Sequence, residues 1–181
     1  EDRKNSEEYF DLLISRIKKY RISQPKVLIT SVTRVTEQKV RLLFEKGSDG
    51  KCAIDKILET LDHENGFYLL LGNGIKEFEE KCEGAFRRHE SLIYLKLYSN
   101  PVAQALYASG SIFMMPSSFE PCGISQMIAM QNGQPCIVHA TGGLKDTVID
   151  DVNGFQFSGD TVKEQVDNLV TVTKKAVDIC I

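Results

Sequence analysis

Short apolar, β-branched runs alternate along the chain with stretches in which apolar residues recur every three to four positions. The apolar runs occupy 26–32, 67–74, 91–98, 111–116 and 135–140, and 154–158 is a shorter sixth candidate. Helical spacing fills the intervals at about 52–62, 75–89, 101–109, 122–132 and 160–177. Apolar strands that alternate with helices predict a parallel sheet. We therefore expect an α/β fold, in which a Rossmann-like parallel sheet carries helices on both faces.

The chain has no internal repeat and no low-complexity linker, so its 181 residues predict a single domain over 1–181. An N-terminal helical segment covers 1–24, and a C-terminal helix lies within 160–181. In the first segment, an amphipathic helix over 6–20 is indicated by apolar residues at i, i+3, i+4 and i+7, namely Phe10, Leu13, Ile14 and Ile17. Residues 40–51 fit either a helix end with a loop or a hairpin that turns at Asp49-Gly50.

Composition narrows the class of protein. The net charge of −3 argues against a nucleic-acid surface, which needs clustered Lys and Arg. No run of about 18 apolar residues is present, so no membrane span is expected. The N-terminus, EDRKNSEEYF, has neither an initiator Met nor an apolar signal region, and we expect it to be the start of an excised piece.

The cysteines and histidines predict neither disulfides nor a metal site. The five cysteines are odd in number and form no CxxC pair, which argues against a disulfide framework and against a zinc site. The three histidines do not cluster at metal-ligand spacing. Reduced thiols favour a cytoplasmic location, or the plastid stroma in a plant-like source.

Several polar residues follow predicted strands, at the edge where parallel sheets bind ligands. Arg34 and Lys39 come just after the first strand and could neutralise a diphosphate, although two solvated loop charges would give the same pattern. Thr141, Gly142 and Gly143 open a helix, where backbone N–H groups can bind phosphate. The alternative is a plain strand-to-helix turn.

A single acid, Glu120, precedes Pro121 and is therefore pushed out of the helical region, at the mouth of the next helix. Its carboxylate could accept hydrogen bonds from sugar hydroxyls, or it could only cap the helix. Cys122 beside it is a candidate nucleophile, but no histidine is paired with it in sequence, so a packed thiol is the favoured interpretation. His139 stands just ahead of the Thr-Gly-Gly turn and is a weaker candidate for the site.

Together these stretches resemble the C-terminal half of glycogen and starch synthases, which are retaining glucosyltransferases of the GT-B fold. The resemblance covers about residues 25–160. It is carried by ASGSIFMMPSSFEPCGISQMIAMQNG followed by TGGLKDTV, which is similar to the family's FEPCG…TGGL signature in order and spacing. TRVTEQK resembles the family's SRLTxQKG loop. The resemblance implies that the sheet is one half of a GT-B fold.

The resemblance also implies roles for individual residues. Arg34 and Lys39 would hold the donor's diphosphate, and Glu120 would contact the glucose hydroxyls. Tyr98, 22 positions before Glu120, would stack on the nucleotide base. Other substrate-binding positions within the matching motifs are Cys122, Gly123, Thr141, Gly142 and Gly143, with the amides of the last two near the phosphate or the sugar. Which lysine binds the phosphate stays open. Val40 follows Lys39 where the family has Gly, and Lys51 in DGKCAID is a second candidate.

The function implied is that of the nucleotide-sugar-binding domain of an α-1,4-glucan synthase. Its donor would be ADP-glucose or UDP-glucose, its acceptor the non-reducing end of an α-glucan, and it would need neither a cofactor nor a metal. A missing N-terminal GT-B domain would be its partner, so we expect the isolated chain to transfer no glucose. The alternatives are another retaining GT-B enzyme, similar to sucrose or trehalose synthase, and a regulatory or binding domain without turnover.

Overall fold

The computed structural model describes residues 2–181, with side chains from residue 6 onward. Six strands are present in this range: β1 (Val27–Val32), β2 (Gly66–Leu71), β3 (Leu92–Leu95), β4 (Ile112–Met115), β5 (Cys136–His139) and β6 (Gly154–Phe157). The helices are α1 (Asp2–Ser23), α2 (Glu37–Phe44), α3 (Ala53–His63), α4 (Lys76–Arg88), α5 (Asn100–Ser109), α6 (Ser125–Gln131), α7 (Gly142–Thr147) and α8 (Val162–Cys180). Each predicted strand is confirmed, including the short sixth one.

The six strands form one parallel sheet in the order β3-β2-β1-β4-β5-β6. The order reverses between β1 and β4, and at such a point the connections leave the sheet toward opposite faces. The crevice that this reversal opens at the carboxyl ends of the strands is where doubly wound sheets bind ligands.

Apolar side chains cover both faces of the sheet, as continuous apolar strands require. On one face the strands pack against α2, α3, α4 and α8. On the other face they pack against α5, α6 and α7. Tyr68 and Tyr94 are among the largest fully buried side chains of the first core. The α/β fold with helices on both faces is therefore confirmed.

The buried face of α1 differs from the one that the apolar spacing predicts. Leu13 packs against the core, but three of the four predicted residues are exposed: Phe10, Ile14 and Ile17. The helix instead turns Tyr9 and Arg16 inward. Arg16 is 5% exposed and donates hydrogen bonds to the backbone oxygens of His89 and Leu92, so a polar anchor fixes the rotation of the helix.

Residues 40–51 combine the two predicted alternatives. Helix α2 runs to Phe44, and a tight turn follows in which the Gly50 N–H donates to the Gly47 oxygen. A single antiparallel bridge pairs Lys46 with Cys52. The segment is thus a helix end joined to a minimal hairpin.

The loops that follow β1 and β2 lie directly against each other. A Cβ atom added at Gly72 would be 1.8 Å from the Thr33 oxygen, so only glycine permits this approach. A parallel bridge between Val35 and Gly74 continues the contact. This contact fixes the path of the loop that carries Arg34.

A buried amide just before β5 ties strand β1 to helix α5. Gln134 is 2% exposed; its Oε1 accepts a hydrogen bond from Thr30, and its Nε2 donates to the Leu106 and Tyr107 oxygens at 2.7 and 2.6 Å. The last two oxygens belong to the final turns of α5, whose carbonyls need partners.

Replacing Gln134 with Leu should lower the free energy of unfolding by about 2–4 kcal/mol, because buried polar groups lose their partners. Urea unfolding followed by circular dichroism measures this change. The same substitution at Gln131, which is exposed at the end of α6, is the matched control and should change stability by less than about 0.5 kcal/mol. Equal effects at the two positions would contradict the role assigned to Gln134.

Candidate functional site

A cavity of about 610 Å³ opens at the carboxyl ends of the strands, where the strand order reverses. Its walls come from the loops after β1, β2, β3 and β4, from the first turn of α2 and from helices α5 and α6. This volume lies in the range of pockets that bind small molecules and cofactors. Six of the nine predicted site residues line it: Arg34, Lys39, Tyr98, Glu120, Cys122 and Gly123.

The charged side chains in the cavity wall are Arg34, Lys39 and Glu120. Lys39 and Glu120 form an ion pair, with their side chains only 10% and 11% exposed. Burial, together with the nearby charge of Arg34, holds the pKa of Lys39 below its usual value. Arg34 itself is exposed, and within residues 6–181 no carboxylate forms an ion pair with it. The cavity therefore has one unneutralised positive charge and suits an anion.

The second candidate lysine lies elsewhere. Lys51 is exposed, pairs with Glu59 of α3 and does not line the cavity. Lys39, in the first turn of α2, is the lysine that the fold brings to Glu120 and Arg34.

The Thr-Gly-Gly turn holds the loop that carries Glu120. The Gly143 N–H donates to the backbone oxygens of Glu120 and Pro121, at 3.0 and 3.2 Å. Gly142 has a φ of +46°, and a Cβ atom on it would lie 2.0 Å from the Glu120 oxygen. The close contact and the left-handed backbone together require glycine at this position.

This arrangement gives the turn a structural role, and the ligand contacts that the resemblance implies for it stay a prediction. The resemblance implies that the Gly142 and Gly143 amides meet a phosphate or a sugar, but the Gly143 amide is already bonded to the Glu120 loop. Thr141, Gly142 and Gly143 do not line the cavity. Gly143, in the first turn of α7, supports the backbone of the Glu120 loop through its two hydrogen bonds.

Helix α2 holds the same loop from the other side. The Ser118 N–H donates to the Gln38 oxygen, and the Gln38 side chain donates to the Phe119 oxygen, both at 2.8 Å. A third attachment comes from the buried Gln126 of α6, whose Nε2 donates to the Gly123 oxygen at 3.0 Å. Glu120 thus projects from a loop that is fixed at several backbone positions.

His139 supports the start of this loop and does not line the cavity. Its Nδ1 lies 3.1 Å from the Ser117 oxygen, and its ring stacks on Phe157 with centroids 5.1 Å apart. Burial lowers the pKa of His139, an effect that the hydrogen bonds to Ser117 and Ser118 only partly oppose. The histidine is therefore neutral near pH 7 and acts as a structural support.

Tyr98 stands at the rim of the cavity with 74% of its surface exposed. Its hydroxyl donates to the Asn100 Oδ1 at 2.7 Å, which restrains the ring and leaves its surface accessible. An exposed aromatic ring at the edge of a cavity can stack on a planar ring of a ligand.

Cys122 is exposed, so the interpretation of a packed thiol is wrong. Pro121 and Cys122 are exposed and line the cavity, so the thiol is accessible there and is not packed in the core.

Sequence reasoning missed further lining residues: Asn73, Asn100, Gln104, Tyr107, Ile124 and Ser125. They carry no charge; Ile124 and Ser125 lie within the FEPCGISQMIAMQNG stretch but received no role, and the other four belong to no quoted motif. The one available signal was position, because most of them lie just after a strand or at the start of a helix.

Among the described residues, no group of three His, Cys, Asp or Glu side chains could hold a metal ion. Over the same range, no helix has the length and apolar character needed to cross a membrane.

Sequence comparison identifies the family to which the chain belongs. Residues 15–176 match the profile described as glycosyl transferases group 1. The chain is 37% identical over 159 residues to a glycogen synthase of Oceanobacillus iheyensis, covering 84% of the chain and 30% of that relative. It is 40% identical over 139 residues to a glycogen synthase of Bacillus subtilis, covering 72% and 27%. The chain thus spans about 30% of the length of the curated relatives it matches.

Solved structures agree on the fold. The catalytic domain of starch synthase IV from Arabidopsis thaliana, bound to ADP and acarbose, superposes with a TM-score of 0.65 at 28% identity, over 85% of this chain and 31% of that one. HepE from Anabaena in complex with UDP-glucose gives 0.60 at 17% identity, over 93% and 47%, which is evidence for the fold alone.

The lowered pKa of His139 makes a prediction about stability and pH. The unfolded chain binds the proton near pH 6.5, whereas the folded chain resists it until a lower pH, so the stability contributed by neutral His139 is lost as the pH falls below about 6.5. We expect His139→Gln to lose less free energy of unfolding than the unmodified chain between about pH 7.5 and about pH 5. Urea unfolding across this range measures both slopes.

Gln131→Leu is the control, because it changes an exposed residue that does not titrate, and its slope should match that of the unmodified chain. Identical slopes for all three proteins would show that burial does not perturb His139.

Proposed function

The chain belongs to the group 1 glycosyltransferases, and on this basis we propose that it is the nucleotide-sugar-binding domain of an α-1,4-glucan synthase. The donor would be ADP-glucose or UDP-glucose, and the acceptor the non-reducing end of an α-glucan, with retention of configuration at the transferred glucose. Glycogen synthase relatives that are 35–44% identical support this assignment over other retaining glycosyltransferases.

The observation that carries the proposal is the placement of two cations and one carboxylate in a single cavity at the strand-order reversal. Arg34 has no carboxylate partner among the described side chains and presents a fork of donors that matches phosphate oxygens. Lys39, in the adjacent helix turn, adds a second positive charge. A diphosphate between them would be neutralised from two sides.

These groups account for the chemistry expected of the domain. Transfer of glucose breaks the bond to the diphosphate, and negative charge develops on the departing oxygen. Arg34 and Lys39 would stabilise that charge, without a metal or a separate cofactor, while the rigid loops position the sugar. Glu120 would accept hydrogen bonds from glucose hydroxyls, and Tyr98 would stack on the base.

The acceptor site would require a further domain. The relatives are about three times as long as the matching region, and enzymes of the GT-B class hold the donor between two domains. We propose that the missing domain supplies the glucan-binding surface, and that the 181 residues alone bind nucleotide weakly.

Isothermal titration calorimetry with ADP and with UDP tests the donor site. We expect one of the two nucleotides to bind, and Arg34→Ala to weaken that binding about 10- to 100-fold, since hydrogen bonds to charged groups contribute about 1.5–3 kcal/mol. Arg41→Ala is the matched control, because Arg41 lies on α2 outside the cavity and pairs with Glu45.

The nucleotide that binds would identify the donor. Equal affinity for the Arg34 variant and the unmodified chain would contradict the proposed diphosphate site, as would a loss of the same size in the Arg41 variant.

A further inference from the structure

The groups proposed to hold the two parts of the donor are bonded to each other in this structure. The Lys39 ammonium, assigned to the diphosphate, is paired with the Glu120 carboxylate, assigned to the sugar. Both side chains are almost buried, so each relies on the other to satisfy its charge. Resting on the proposed function, we propose that donor binding exchanges this pair: the diphosphate takes over Lys39, the sugar hydroxyls take over Glu120, and the site thereby selects the intact nucleotide sugar over the free nucleotide.

The exchange follows from the charges around the pair. Arg34 is available to an incoming diphosphate and lies close enough to Lys39 for its charge to act on the lysine. A diphosphate held by Arg34 therefore arrives beside Lys39 with more negative charge than the single carboxylate of Glu120. Like charges disfavour leaving the carboxylate and the phosphate on the same ammonium group, so Glu120 is released.

The released carboxylate cannot leave with its backbone. The Glu120 oxygen is bonded to the Gly143 N–H on one side, and Gln38 holds the neighbouring Phe119 oxygen on the other. The carboxylate must stay in the cavity, where an almost buried charge without partners is costly. Sugar hydroxyls are donors that can satisfy it, and they arrive only when the diphosphate carries its glucose.

The consequence is coupling between the two halves of the ligand. A free nucleotide must break the ion pair and leave Glu120 without a partner, whereas the nucleotide sugar replaces both contacts. Removing the carboxylate charge should therefore strengthen binding of the free nucleotide and weaken binding of the nucleotide sugar. A general loss of binding would instead weaken both.

The test is calorimetric titration of the chain with ADP, UDP, ADP-glucose and UDP-glucose, before and after Glu120→Gln. For the nucleotide that binds, we expect the ratio of its Kd to that of its glucose conjugate to fall by at least about fivefold in the variant, the lower end of typical coupling between sites. The free nucleotide itself should bind more tightly than to the unmodified chain.

Two variants separate this effect from simpler ones. Glu37→Gln removes a carboxylate charge two residues from Lys39 without touching the pair, and it should leave the ratio unchanged. Glu120→Asp keeps the charge but shortens its reach, and it should move the ratio in the same direction by a smaller factor. The Asp variant also serves if Glu120→Gln does not fold, as judged by circular dichroism.

The outcomes distinguish the two proposals. If the unmodified chain binds a nucleotide or its glucose conjugate but Glu120→Gln and Glu120→Asp leave the ratio unchanged, the exchange is wrong and the donor site stands. An equal change of the Kd ratio in Glu37→Gln would show that any nearby carboxylate charge has this effect, and it would also overturn the exchange. If none of the four ligands binds the unmodified chain, the donor-site proposal itself fails.

Discussion

The ion pair between Lys39 and Glu120 connects the two halves of the sheet at the point where the strand order reverses. Lys39 belongs to the helix that follows β1, and Glu120 to the loop that follows β4, so the pair spans the crevice between the two connections. An almost buried pair of this kind contributes little net stability but is costly to break on one side only. The position of the pair therefore determines where ligand groups could replace Lys39 and Glu120 as each other's partners.

The spacing of the FEPCG and TGG segments has a structural explanation in this fold. One helix and one strand separate them, and this path returns the chain to the back of the Glu120 loop, where Gly143 donates to the Glu120 oxygen. The Gln38 side chain donates to the Phe119 oxygen of the same loop, and the His139 Nδ1 is hydrogen-bonded to the Ser117 oxygen, where the loop starts. The backbone of the acid is thus held by contacts at several positions, while its side chain pairs with Lys39.

The sheet was predictable because each strand is buried on both of its faces and is therefore a continuous apolar run. Such a run can be recognised in the sequence without knowing which strand it pairs with. The rotation of α1 about its axis was not predictable, because it depends on hydrogen bonds from Arg16 to the His89 and Leu92 oxygens, which are distant in sequence. That Arg34, Lys39 and Glu120 share one cavity could be expected from the sequence, because each follows a strand within a quoted motif. The role of Gly143 and the exposure of Cys122 depend on how α7 meets the Glu120 loop, and local sequence does not encode that packing.

Mapping of backbone amide chemical shifts by NMR tests most directly whether the cavity between β1 and β4 binds the nucleotide sugar. Titration with ADP-glucose or UDP-glucose should shift the amides of residues 33, 34, 39, 97, 98, 100 and 120–125, which line the cavity, and leave those of α8 unchanged. Shifts confined to α8 or to the exposed face of α1, with none at 120–125, would contradict the account.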